Sequence, residues 1–583
     1  MQRWLIRNKK ADCRKIAADL GISQIISKVL VNRDIVDYKS IEMFLDPKLN
    51  RLHSPELLMG LSSGADIIID KIDKNKRIRI VGDFDVDGVI SVYILYKALE
   101  MLGARVDYVI PDRVLDGYGI NIDIVKTASE EGIDTIITCD NGIAAVEPVR
   151  LAKELGLTVI VTDHHDIPPV VPEADAIINP KQAKCNYPFK YLCGAGVCFK
   201  LIECLFLRKN IGEEEVYKFL EFVSIATICD VVDLVDENRI IVKKGLELLN
   251  STENIGLKAL LKECGIDDKT LSVYHIGFII GPTINASGRL ESALLALELL
   301  LCKDSQKAEE MAVYLRRLNE DRKAMTQTGI EKVVEKVEGS LYKNDKVLVI
   351  YEPEIHESIA GIIAGRIKEK YNMPTIVLTK GKDGVKGSGR SIEEYNMFEE
   401  LTKCKRLLNR FGGHPMAAGL SLDFENIEVL RRELNSNTFL TEEDLIPKIY
   451  IDMALPIEYI NYNLIEELKV LEPHGKGNPK PLFGEKSLKI NRAFIFGVHR
   501  NVLKLILESK NRTIEGLFFG DTNIFEEKIM KLYGKEGLEG LYKGVNNNIF
   551  IDILYTPSVN EYNGRTTLQL NIQSYRLKSR STN

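Results

Sequence analysis

The triplet Asp163-His164-His165 follows the apolar run Leu157–Val161 and leads into Asp166-Ile-Pro-Pro169. Three more apolar runs end in aspartate. Arg77–Val81 is followed by Gly82-Asp83-Phe84-Asp85-Val86-Asp87-Gly88, Ile136–Cys139 by Asp140-Asn141-Gly142, and Ser224–Cys229 by Asp230. Carboxylates and neutral imidazoles suit hard and intermediate divalent cations, and no sulfur ligand is needed. Asp83, Asp85 and Asp87 are spaced two apart, so a turn there aims at least two of them into one site. A helix N-cap would use only one aspartate. Four acid-bearing ends brought into one crevice would be too anionic to coexist without metal.

The elements that must position these groups alternate. Arg77–Val81, Arg105–Ile110, Asp134–Cys139 and Leu157–Val161 read as buried strands, and Gly88–Leu99 as a helix after the first acidic turn. This rhythm predicts an α/β fold with a doubly wound, mainly parallel sheet, which receives ligands at the carboxyl ends of its strands. Five regions are expected: an N-terminal helical region (1–75), the sheet domain (76–303), a long connector helix (304–340), a second α/β lobe (341–445) and a basic C-terminal domain (446–583). Arg113 lies in a glycine-bearing loop where it can meet a phosphate. In the second lobe, Gly387-Ser388-Gly389-Arg390-Ser391 reads as a small-residue turn bearing one arginine, and Phe411-Gly-Gly-His414 adds a histidine beside two glycines. Backbone amides and a guanidinium in such a turn suit a phosphate. The two lobes then form a cleft, with metals on one wall and Ser388, Arg390 and His414 on the other. The last region holds about five short strands and reads as an OB-like barrel, which would hold single strands by charge and stacking. Phe494, Phe518, Tyr555 and Tyr562 are its aromatic candidates, and each reads as core before stacking platform.

Charge supports that partition. The whole chain has net charge −6, which argues against a general nucleic-acid coat. From Pro481 to Asn583 there are 15 Lys and Arg against 10 Asp and Glu, so that stretch is net +5 and the rest net −11. The ten cysteines contain no Cys-x-x-Cys and fit reduced thiols. No secretory leader or membrane-length apolar run is read, so a cytoplasmic protein with no membrane partner is expected.

The ordered set Gly82-Asp-Phe-Asp-Val-Asp-Gly88, Thr138-Cys-Asp-Asn-Gly142, Asp163-His-His165 and Ala226-Thr-Ile-Cys-Asp230 resembles the four motifs of the DHH phosphoesterase superfamily. Further stretches are similar to the RecJ-type single-strand-specific exonucleases: Leu192–Lys200, Gly281–Leu290, Lys386–Ser391, Phe411–Gly419, Leu471–Phe483 and the tail from Asp552 to Leu570. The likeness runs from about Trp4 to Tyr575.

The resemblance implies two divalent cations, Mn²⁺ or Mg²⁺, held by Asp83, Asp85, Asp87, Asp140, His164 and Asp230. Asp140 would bridge them, His165 would protonate the leaving oxygen, and Asp163 would orient an imidazole. Substrate contacts would come from Arg113, Asn285, Arg289, His356, Ser388, Arg390 and His414, with Asn285 and Arg289 in a loop. Three positions depart from the family pattern: Val81 where many members of the superfamily carry histidine, Thr283 where the family usually carries arginine, and His474 where it usually carries phenylalanine. The implied function is 5′→3′ degradation of single-stranded DNA to mononucleotides in repair and recombination, with a helicase or single-strand-binding protein as partner. A phosphodiesterase on short oligonucleotides or cyclic dinucleotides is the alternative enzyme, and a non-catalytic single-strand-binding scaffold the alternative of another class.

Overall fold

The computed structural model describes residues 2–113, 115–382, 384–510, 512–545, 547–562 and 564–578; the side chain of Tyr562 lies outside the described residues. The chain forms two compact units, Lys48–Pro447 and a second that joins Met1–Pro47 to Lys448–Asn583. The expected N-terminal region 1–75 is therefore divided. Residues 2–47 comprise strand β1 (Arg3–Ile6) and helices α1 (Cys13–Leu20), α2 (Gln24–Asn32) and α3 (Tyr38–Leu45). They fold with the C-terminal strands, whereas α4 (Leu61–Asp73) packs on the first sheet of the other unit.

That sheet contains β2 (Arg77–Val81), β3 (Arg105–Val109), β4 (Thr135–Cys139), β5 (Thr158–Thr162) and β6 (Ala176–Ile178), all parallel, in the order β3-β2-β4-β5-β6. It is doubly wound. Ile78, Ile80, Ile137 and Ile160 pack with α4, α5 (Val86–Met101) and α8 (Gly194–Arg208). Ile136, Val159 and Val161 pack with α6 (Ile122–Glu130) and α7 (Val146–Glu154). From β2 the chain moves outward to β3, then returns to the other side of β2 as β4. The carboxyl ends of β2 and β4 therefore flank the switch point, where parallel sheets open a crevice. Helix α9 (Leu220–Cys229) follows, ending at Asp230.

Residues Gly281–Leu290 form helix α10 rather than the expected loop, so Asn285 and Arg289 project from regular structure. Glycine and Pro282 disguise it; the helix continues directly from the helical residues 273–280, the last five of them π-helical. Helix α11 (Ser305–Glu338) is the expected connector, capped by Asp304. The second lobe has β7 (Leu348–Tyr351), α12 (Ala360–Tyr371), β8 (Thr375–Gly381), β9 (Gly384–Arg390), β10 (Arg410–His414) and β11 (Ala417–Leu422), in sheet order β10-β11-β9-β8-β7. Gly387–Arg390 lies inside β9, paired on both sides, and is not a turn; a Cβ at Gly387 would come 2.4 Å from a Leu378 methyl.

In the other unit β1 pairs in parallel with β12 (Lys448–Ile451). The short β13 (Met453–Ala454) precedes β14 (Phe483–Phe496), β15 (Val502–Ser509), β16 (Arg512–Phe519), β17 (Phe550–Tyr562) and β18 (Arg565–Leu577). The order β14-β15-β16-β18-β17 closes through β14–β17 pairing into a five-stranded barrel. Helix α13 (Asn523–Lys543) between β16 and β17 was not expected; Gly534, Gly537 and Gly540 mask it, and Gly534 breaks its helical dihedrals. Tyr555 is fully buried and Phe518 packs against Tyr575, so both are core residues; exposed aromatics on the barrel strands include Phe496 and Phe519. Among the described residues no helix is long and apolar enough to cross a membrane.

Lys200 and Glu237 are completely buried and ion-paired at 2.9 Å. Lys200 also donates to the His53 carbonyl at 2.8 Å, and Glu237 accepts from the His53 amide at 2.7 Å and from Tyr187. This network fastens the segment after α3 to α8. Lys200→Met would leave a buried uncompensated carboxylate, a loss of about 3–5 kcal/mol. The unfolding transition of Lys48–Pro447, followed calorimetrically, should shift markedly downward; a shift below about 1 kcal/mol would contradict the network's role.

Candidate metal centre and adjoining arginine pocket

The loop after β2 carries the first three carboxylates. Asp85 caps α5 by accepting from the Gly88 amide at 3.1 Å. Asp87, two residues further, is buried and accepts from the amides of Gly194 (2.6 Å) and Ala195 (2.8 Å) at the start of α8. Two free amides and a helix N-terminus suit a carboxylate. Asp140 ends β4 in the left-handed region (φ 62°). Gly194 must be glycine there, because a Cβ would stand 2.6 Å from that of Asp140.

His164 Nε2 lies 3.1 Å from Asp140, 3.7 Å from Asp87 and 3.8 Å from Asp230. Three groups have ligand atoms within 4.8 Å of one another: Asp87, His164 and Asp230; Asp83, Asp85 and Asp140; and Asp140, His164 and His165. All six residues expected at the metals are thus brought together. Asp163 is different: its oxygens accept from the amides of Ile143, His164 and His165 and contact His165 Nδ1 at 2.7 Å. It orients His165 rather than facing the crevice.

Burial and then Asp85 push Asp87 up to about 6. Burial, followed by the neighbouring carboxylates, holds Asp140 and Asp83 above the usual carboxylate range. Burial, then His165, lowers His164 to about 3, so its imidazole is neutral at physiological pH, the form that binds metal. Burial opposes charge on His165 too, but the hydrogen bond and charge of Asp163 prevail and raise it to about 9. Asp83 Oδ1, Asp140 Oδ1 and His164 Nε2 are buried without hydrogen-bond partners. Orphaned acceptors in an oxygen-and-imidazole donor set fit divalent cations.

Beside this cluster stands a pocket of about 320 Å³ lined by Arg113, Arg289, Ser358, Arg366, Ser388 and Arg390, among others. Arg289 donates to the Ser358 carbonyl at 2.7 Å. Burial, then Arg113 and Arg322, pulls Arg289 down to about 9; burial also lowers Arg113 and Arg390. Crowded, desolvated guanidiniums favour an anion. Asn285 accepts from the Val86 amide at 3.2 Å and so braces the acidic loop. His356 Nδ1 contacts Ser358 Oγ at 2.7 Å and is not among the residues that line the pocket. His414 is exposed and lies 3.4 Å from Asp166, the residue that follows His165 in the chain. Thr283 is buried and accepts from Asn319 at 3.1 Å, and Asn319 in turn accepts from Arg322 at 3.0 and 3.1 Å. A guanidinium from α11 thus stands near the position that lacks arginine. The sequence reading missed Arg322, Arg366, Ser358, Phe84 and Tyr118; the last two are aromatics in charged loops, a pattern without a spacing rule.

Residues 77–227 match the DHH family N-terminal domain, residues 344–438 the DHHA1 domain, and residues 451–574 the RecJ OB domain. Fold and site together define a DHH-type phosphoesterase architecture with a DHHA1 lobe and an OB barrel. The single-stranded-DNA-specific exonuclease RecJ of Bacillus subtilis is 36% identical over 98% of this chain and 70% of its own length. That of Haemophilus influenzae is 32% identical over 90% and 92%. The crystal structure of Thermus thermophilus RecJ in complex with Mn²⁺ superposes with a TM-score of 0.83 at 26% identity, covering 98% of this chain and 79% of that one. The chain belongs to the RecJ family of single-stranded-DNA-specific exonucleases.

The carboxylate cluster makes a prediction of opposite signs. Without metal, Asp140→Asn should raise the unfolding temperature of Lys48–Pro447, because one buried charge is removed. Mn²⁺ at about 100 times its Kd should stabilise the wild-type chain by about 2.7 kcal/mol and the variant far less. Equal stabilisation of both by Mn²⁺, in a thermal titration with EDTA controls, would exclude Asp140 as a ligand.

Proposed function

We propose that this chain is a divalent-cation-dependent exonuclease that releases mononucleotides from the 5′ end of single-stranded DNA. The supporting observation is the convergence of Asp83, Asp85, Asp87, Asp140, His164 and Asp230 at the switch point, beside a pocket of desolvated arginines. Asp87, His164 and Asp230 would hold one Mn²⁺ or Mg²⁺, Asp83 and Asp85 the other, with Asp140 shared. When bound, such a pair supplies an activated water and charge neutralisation at the scissile phosphate.

The chain's own residues do the rest. The α8 amides fix Asp87, and Asn285 fixes the acidic loop. Asp163 holds His165 by Nδ1, in place to give a proton to the leaving oxygen. Arg113, Arg289, Arg390 and Ser388 would clamp the strand's terminal phosphate, and His414 would close over it from the second lobe. Binding energy from that remote phosphate would place the next phosphodiester at the metals. The exposed Phe496 stacks on Phe494 (6.0 Å, 17°), and the Arg492 guanidinium lies 4.6 Å from the Phe494 ring, a surface suited to bases and backbone.

Polarity, a role in repair and recombination, a cytoplasmic location, and a helicase or single-strand-binding partner rest on family likeness. End-labelled single-stranded DNA and RNA, with and without 5′-phosphate, test the reading in Mn²⁺ or Mg²⁺. Asp140→Ala should lower kcat by more than about 10³-fold. Arg390→Ala should lower kcat/KM on 5′-phosphorylated DNA by about 10²-fold and affect the 5′-hydroxyl strand less. Mn²⁺-dependent hydrolysis that survives Asp140→Ala would refute the site.

A further inference from the structure

One loop reaches both halves of the site. Residues 111–113 carry Arg113, which lines the arginine pocket, and residues 115–120 carry Tyr118, which lies against the metal cluster. Between them stands Phe84, from the turn that presents Asp83 and Asp85. The Arg113 guanidinium sits 4.6 Å from the Phe84 ring centroid. Tyr118 meets the same ring edge-on at 6.3 Å and 84°. On its far side Tyr118 meets His165 edge-on, 5.7 Å between centroids.

The Tyr118 hydroxyl donates to the Asp140 carbonyl at 2.7 Å, which pins it at the left-handed turn. Its oxygen then lies 3.3 and 3.4 Å from the two ring nitrogens of His165. Asp163 holds the same ring at 2.7 Å through Nδ1. The imidazole is therefore bracketed, and one of its two supports belongs to the loop that carries Arg113. The contact is a packed chain: guanidinium, phenyl ring, phenol, imidazole. Phe84 is itself braced, since a Cβ at Gly288 of α10 would fall 2.2 Å from the Phe84 carbonyl oxygen, so that helix packs directly on this turn.

We propose that Tyr118 is a positioning residue for His165, and that Phe84 links it to Arg113, so that an anion in the arginine pocket sets the proton donor. This rests on the exonuclease reading above and adds to it. The terminal phosphate acts on the chemical step as well as on binding, because Arg113 and Tyr118 pack on the same Phe84 ring. Remote binding energy spent in this way appears in kcat.

The test uses the full chain in Mn²⁺ with matched single strands bearing either 5′-phosphate or 5′-hydroxyl. For the wild type, the phosphate is expected to lower KM and to raise kcat by about tenfold or more. Tyr118→Phe keeps the ring and removes the hydroxyl; kcat on the phosphorylated strand should fall by about tenfold while KM stays within about twofold. In Phe84→Leu the KM advantage of the phosphate should persist while its kcat advantage collapses towards unity. Calorimetric Mn²⁺ titration of both variants reports whether the metal cluster is intact, and binding close to wild type is expected. The proposal is overturned if wild-type kcat is the same on both strands, if Tyr118→Phe leaves kcat unchanged, or if Phe84→Leu retains the kcat advantage. It is overturned equally if both variants lose Mn²⁺ affinity in step with kcat, which would make Phe84 and Tyr118 supports of the metal cluster alone. Absence of hydrolysis of either strand by the wild type would instead sink the exonuclease reading itself.

Discussion

Mutual repulsion among buried carboxylates is the constraint on which this chain is built. Asp83, Asp87 and Asp140 are almost wholly buried, and Asp85 and Asp230 stand beside them. Such a set carries a large electrostatic penalty unless protons or cations neutralise it. Burial drives the carboxylates toward proton uptake, yet Asp87 keeps two amide donors, and His164 is held neutral with Nε2 turned inward to Asp87, Asp140 and Asp230. The geometry is that of a site which exchanges self-repulsion for metal ligation.

The doubly wound sheet concentrates that charge. The turns after β2 and β4 face each other across the switch point, β5 delivers Asp163-His164-His165 beside them, and the end of α9 adds Asp230. Opposite charge is supplied in a neighbouring pocket, crowded by Arg113, Arg289 and Arg390. An acidic cluster that needs cations and a basic pocket that needs an anion, set side by side, describe the two ends of a nucleotide. Phe84 and Tyr118 lie between the two and belong to both.

The acidic ends were legible because strand, turn and aspartate follow one another locally, so the chemistry could be read without knowing the fold. The parallel sheet, the connector helix and the barrel were legible through periodicity. What could not be read was long-range or disguised. The pairing of Arg3–Ile6 with Lys448–Ile451 has no local signal. Helices 281–290 and 523–543 were hidden by Gly and Pro, whose low propensity is overridden by packing. Gly387–Arg390 resembled a turn because small residues also serve a strand packed closely on both sides. Phe84 and Tyr118 escaped notice since an aromatic among charges reads as core, and only three dimensions show it bridging two sites.

The central claim, that dications neutralise this cluster, is tested most directly by anomalous diffraction at the manganese edge from crystals grown with Mn²⁺. The account predicts two peaks, one against Asp87, His164 and Asp230 and one against Asp83 and Asp85, with Asp140 touching both. Peaks absent from the switch point, or confined to surface carboxylates elsewhere, would contradict it.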